Sequence, residues 1–110
     1  SGRPLYKSQW IQSRVADIAT ELEAARLLIY QAAQLKDNHI PFIKEAAMAK
    51  YYASKVGMKA TSLAIDIYGM YGLTDEYPVE RFMRDEKLME IGEGTSEIQK
   101  IVIARQILGK

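Results

Sequence analysis

The chain has 110 residues, 48% apolar and 26% charged, which suits one small globular domain and argues against disorder. Fifteen basic residues against fourteen acidic ones leave a formal charge of +1, and no Lys/Arg block exceeds two residues, so no nucleic-acid surface is expected. With no cysteine there is no disulfide framework or thiolate metal site, which fits a reducing compartment, and no apolar run reaches the roughly 18–20 residues of a membrane span.

The N-terminus, Ser1-Gly2-Arg3-Pro4, has neither a signal peptide's apolar core nor a transit pattern, and reads as the start of a piece cut from a longer chain. From Leu5 to Leu35, apolar residues fall at Ile11, Val15, Ile18, Leu22, Ala25, Ile29 and Ala32, alternating steps of four and three. That period, with good helix formers from Glu21 to Leu28 and no internal Gly or Pro, predicts one long helix. Lys36-Asp37-Asn38-His39-Ile40 is a polar break, and Pro41 suits the first turn of the next helix. His39, the lone histidine, reads as a solvated turn residue, and no metal site is expected.

The second helix repeats the stripe at Phe42, Ala46, Ala49, Ala53, Val56, Ala60, Leu63 and Ile67, and should run antiparallel to the first. Gly57 inside it suggests tight packing or the approach of a ligand. The helix should end near Gly69-Met70-Tyr71-Gly72, where a glycine can adopt the left-handed cap. After the loop Leu73–Tyr77, Pro78 opens a short helix through Leu88, and a last helix runs from Ser96 to Leu108. Tyr51 and Tyr52 read as core or interface aromatics, and the methionines as scattered packing residues. The class is all-α, an up-and-down helical bundle. Apolar residues off the first stripe, among them Trp10, Leu27 and Leu28, require cover from a further segment or subunit.

Between the last two helices lies Ile91-Gly92-Glu93-Gly94-Thr95-Ser96-Glu97-Ile98-Gln99. Glycines on both sides of Glu93 favour a sharp bend and the close approach of another molecule, and Ser96 with Gln99 reads as a capping box. On spacing alone, Gly-Glu-Gly reads first as a polar turn with a solvated glutamate.

This stretch, preceded by Tyr77-Pro78-Val79-Glu80-Arg81-Phe82-Met83-Arg84-Asp85, resembles the C-terminal region of flavin-dependent acyl-CoA dehydrogenases. Leu22-Glu23-Ala24-Ala25-Arg26-Leu27-Leu28 and Lys44-Glu45-Ala46-Ala47-Met48-Ala49-Lys50 agree with it, so the similarity covers the whole chain and is nearest the short- or short/branched-chain enzymes. It implies that residues 1–110 are one helical-bundle domain, the C-terminal bundle of a larger flavoenzyme lacking the first of its usual four helices. It also implies oxidation of an acyl-CoA to its trans-2-enoyl product, with FAD as cofactor and an electron-transfer flavoprotein or similar acceptor. Assembly into a homo-oligomer, usually a tetramer, is implied as well. The location would be cytoplasmic in a bacterium or the mitochondrial matrix in a eukaryote. A fragment without the other domains is expected to be inactive.

By position-matching to this family, Glu93 falls on the base that removes the α-proton, with Gly94 beside the thioester. Burial against the acyl chain and flavin makes a carboxylate a stronger base. Thr95 and Glu97 fall where the family contacts its own subunit's flavin; Gln9, Asp66 and Gly69 fall where it approaches the neighbouring subunit's. Three residues depart from the pattern. Gly92 replaces a tyrosine, Asp66 a glutamine, and Met70 one glycine of a pair near the pyrophosphate, where an aspartate is electrostatically unhelpful. A non-catalytic helical oligomerisation module of the same architecture is the alternative.

Overall fold

The structure, a computed structural model, describes residues 7–70 and 79–109. It contains three long helices: α1 (Gln9–Asp37), α2 (Ile43–Met70) and α3 (Val79–Leu108). There is no strand among the described residues, so the expected all-α, up-and-down class holds.

Local chemistry sets the ends of α1. Ser8 has extended backbone (φ −71°, ψ 124°), its Oγ accepts from Ile11 N–H at 3.4 Å, and its carbonyl accepts from Gln12 N–H at 2.9 Å. At the other end, His39 N–H donates to the Lys36 carbonyl and Ile40 N–H to the Leu35 carbonyl, the paired bonds of a Schellman motif. His39 occupies its left-handed position with φ 57°. The lone histidine is thus a helix-stop residue where glycine is the usual solution. Helix α2 opens at Ile43, two residues after Pro41, and the Phe42 carbonyl accepts its first bond, from Ala46 N–H at 2.8 Å. The expected cap at Tyr71 and Gly72 and the loop Leu73–Tyr77 lie outside the described residues.

Helix α2 is central. It packs on α1 along one side and on α3 along another, while α1 and α3 make no contact among the described residues. Both pairs are antiparallel. Lys59 of α2 bonds Glu21 of α1, while Asp66, further along α2, shares a groove with Trp10, nearer the start of α1. Tyr51 meets Lys100, and Met58 meets Gly92.

The core follows this layout. Ile11, Ala25 and Ala32 of the first stripe are buried, as are Ala49 and Val56 of the second, Val56 being only 1% exposed. Val15, Leu22 and Ile29 belong to the same first stripe yet are about half exposed, because none of the described residues covers that side of α1 fully. Gly57 was expected to mark a close approach. An added Cβ there would meet nothing within 4 Å, so its glycine is not a packing requirement.

The expected loop at Gly92-Glu93-Gly94 is not present. Helix α3 runs without interruption through 30 residues, joining what the sequence divides into a short helix and a last helix. Neither glycine takes a left-handed conformation; Gly109, after the helix, is the described glycine that does. Two internal glycines cost about 2 kcal/mol in helix propensity relative to alanine, but packing against α2 and good helix formers from Glu86 to Glu90 favour continuation. The Ser96–Gln99 capping box fails for the same reason. Ser96 lies mid-helix and 6% exposed, with no helix start for its hydroxyl to cap.

Candidate active site

In the uninterrupted α3, Glu93, Ser96, Glu97 and Lys100 recur at helical spacing and share one face. Across from them on α2, Tyr51, Lys55 and Met58 form a matching stripe. Together with Glu90 and Gly94 these residues line a groove of about 460 Å³. Glu93 is exposed on its wall, and Gly94 lines the same groove.

Charge in the groove is mixed. Lys100 Nζ lies 3.2 Å from Glu97 Oε1 and 5.6 Å from the centre of the Tyr51 ring. The bond to Glu97, followed by its charge, raises the Lys100 ammonium above the usual lysine range. Ser96 Oγ is buried without a hydrogen-bond partner. Gly92 faces α2, where a Cβ would stand 3.0 Å from Met58 Sδ and 3.2 Å from Met58 Cγ. The space over Gly92 is therefore filled by a thioether from the facing helix.

A second groove, of about 270 Å³, lies between α1 and α2. Trp10, Arg14, Asp17, Glu21, Lys59 and Asp66 are among its lining residues. Lys59 Nζ donates to Glu21 Oε1 at 2.7 Å, while Glu21 Oε2 is buried without a partner. Gln9, next to Trp10, opens α1 at this end, and Gly69 lies in the last turn of α2. The sequence-predicted residues thus separate into two groups on different sides of α2. Glu93, Gly94 and Glu97 share the α2–α3 groove, with Thr95 half-buried on the same helix but off the lining; Asp66 lies in the α1–α2 groove, with Gln9 and Gly69 near its end.

The sequence reading missed Met58, Ser96 and Lys100 as parts of the groove. The available signal was register: with α2 and α3 antiparallel, Tyr51, Lys55 and Met58 fall opposite Lys100, Ser96 and Gly92.

The family model for the acyl-CoA dehydrogenase C-terminal domain matches residues 1–108. The chain belongs to that family. Human mitochondrial short-chain specific acyl-CoA dehydrogenase is 54% identical over 97% of this chain and 26% of its own length. The structure of butyryl-CoA dehydrogenase from Megasphaera elsdenii superposes with a TM-score of 0.76 at 47% identity, over 97% of this chain and 28% of that one. A chain in the structure described as the electron transferring flavoprotein of Acidaminococcus fermentans superposes at 0.77 and 47% identity, over 99% of this chain and 29% of that one. This acyl-CoA dehydrogenase domain therefore spans somewhat over a quarter of the length of such relatives. Among the described residues, no helix is long and apolar enough to cross a membrane and no acidic or histidine cluster could hold a metal ion.

Proposed function

We propose that the parent protein oxidises a short-chain acyl-CoA to its trans-2-enoyl-CoA, with Glu93 as the base. The observation that carries the reading is Glu93 on the open wall of the α2–α3 groove with Gly94 beside it, in a chain that matches the family end to end. A thioester lying along Gly94 meets no side chain there, because glycine has none. The Glu93 carboxylate takes the α-proton as the α C–H bond breaks, and that electron pair forms the Cα=Cβ bond as the β-hydrogen leaves as hydride. FAD, when bound, supplies the hydride acceptor. Glu93 is exposed in this domain, so the apolar surroundings that strengthen a carboxylate base come from the substrate and the rest of the parent chain.

The donor set suits a cofactor rich in hydroxyl and amide groups. Glu21 Oε2 accepts from an O–H or N–H group, and Ser96 Oγ can donate or accept. Thr95 and Glu97 would serve the flavin of the same subunit; Gln9, Asp66 and Gly69 would face a neighbour's. The separation of these two groups across α2 supports that division. Asp17, Glu21 and Asp66 outnumber Arg14 and Lys59 in the α1–α2 groove, and Lys59 is already engaged by Glu21, so the groove suits hydroxyl or amine donors better than a pyrophosphate. Electrons would leave to an electron-transferring flavoprotein, as the relationship to the Acidaminococcus fermentans structure suggests.

The test is bleaching of the flavin in the full-length protein by a panel of acyl-CoA thioesters. Glu93→Gln should slow bleaching about 10²–10⁴-fold, the usual weight of a positioned base. Bleaching at an undiminished rate would remove Glu93 from that role. A second reading, a non-catalytic oligomerisation module, is favoured by the exposed stripe of Val15, Leu22 and Ile29. It predicts no bleaching by any thioester.

A further inference from the structure

Gly92 and Met58 are a pair. The thioether lies across the α3 backbone at the residue next to Glu93, so close that a Cβ on Gly92 would stand 3.0 Å from Sδ, 3.2 Å from Cγ and 3.9 Å from Cε. A Cβ at that point would fit only if the thioether gave way by a few tenths of an ångström. Met58 also lines the groove that Glu93 faces. The other lining side chains there are Lys55, Glu90, Glu93, Ser96, Glu97 and Lys100, all polar or charged, together with Tyr51. Tyr51 is engaged by Lys100, which leaves Met58 as the aliphatic side chain among the described residues that line the groove.

We infer that Met58 is a specificity-determining residue: its thioether fills the space above Gly92 and sets how much acyl chain can lie beside Glu93. This rests on the reading of Glu93 as the base of an acyl-CoA dehydrogenase. An unbranched, polarisable side chain with three rotatable bonds suits this place, because it fills an irregular gap against bare backbone. Truncating it opens apolar volume beside the reacting carbons. Adding a methyl to Gly92 does the reverse, since the thioether must give way toward the groove. Where an acyl chain packs against an apolar side chain such as this thioether, one methylene of fit is worth roughly 10–200-fold in relative kcat/KM.

The experiment measures kcat/KM for butyryl-CoA and octanoyl-CoA in the full-length flavoenzyme. Met58→Ala should raise the octanoyl-to-butyryl ratio by about tenfold or more, and Gly92→Ala should lower it. Met58→Leu, which keeps the volume, should keep the wild-type order of preference. A ratio unmoved in both alanine variants overturns the inference while leaving Glu93 untouched. A wild-type flavin that no thioester bleaches overturns both readings. Should Met58→Ala lose its flavin through misfolding, the decision falls to Gly92→Ala: a lowered ratio supports the inference and an unchanged one ends it.

Discussion

Gly57 and Gly94 stand in the same local circumstances and, on the reading above, differ in purpose. Both lie inside helices, both are exposed, and an added Cβ at either would meet nothing within 4 Å. Helix propensity alone predicts that alanine at either position stabilises the protein by about 1 kcal/mol. Gly57 lies away from the Glu93 groove, so Gly57→Ala in the full-length enzyme should raise the denaturation midpoint with kcat/KM unchanged. Gly94 lines that groove, so Gly94→Ala should bring a similar gain in stability together with at least a tenfold loss of kcat/KM. Equal activity in the two variants would remove Gly94 from contact with the thioester. A third residue carries a pH dependence. The hydrogen bond to Glu21, which outweighs an opposing desolvation, holds the Lys59 ammonium above its ordinary value of 10.5. The folded state therefore binds that proton more tightly than the unfolded chain does. The resulting stabilisation is complete below the ordinary lysine value and is lost as pH rises through the raised one. The stability gap between wild type and Lys59→Met, measured by urea titration, should be constant near neutrality and shrink as pH climbs past 10.5. A gap that stays level would mean that the pair contributes no proton-linked stability.

The decisive element is α3, because its continuity puts Glu93, Ser96, Glu97 and Lys100 on one face. Ser96 bears a cost there: a buried hydroxyl without a partner forfeits about 1–3 kcal/mol of hydration. Ser96→Ala should therefore stabilise the isolated domain by about 1 kcal/mol or more. If the hydroxyl meets flavin or substrate, the gain should shrink or reverse in the loaded full-length protein. The same gain in both forms would show that Ser96 contacts no ligand. The helices themselves are largely legible in the sequence. The four-three stripes of α1 and α2, the polar break at Lys36–Ile40 and the antiparallel pairing all follow from local spacing. The stretch at Gly92-Glu93-Gly94 was misread because two glycines and a serine signal a break, while the opposing force, packing on α2, is tertiary and invisible along the chain. Ala47 shows the same gap in reach: it is buried yet off the predicted stripe of α2, which has two neighbours and needs more than one apolar stripe. Glu93 was legible as a candidate from the family motif, whereas Met58 was not. An isolated methionine carries no signal until the facing helix supplies a residue without a side chain.

At the scale of the molecule, three helices form an open arrangement in which α2 is flanked and α1 and α3 stay apart, with extents of 54 × 28 × 23 Å. Burial is correspondingly thin. Leu22 and Ile29 are 53% and 52% exposed, and Val15, Ile18, Ala19 and Leu22 of α1 form an apolar trough of about 280 Å³ with Ala60, Leu63, Ala64 and Ile67 of α2. Contiguous apolar surface of this kind drives association, and a net charge of +1 offers little repulsion against it. The isolated chain should therefore self-associate, with a weight-average mass that rises with concentration in sedimentation equilibrium. It should also be colourless, since the two proposed flavin-facing groups lie on different sides of α2. Replacing Leu22 and Ile29 together by glutamate should give a monomer of unchanged helical content, because both side chains are already half in water. A clean wild-type monomer at millimolar concentration would show that the trough is tolerated open, and would transfer the oligomerisation expected of the parent to surfaces outside this domain.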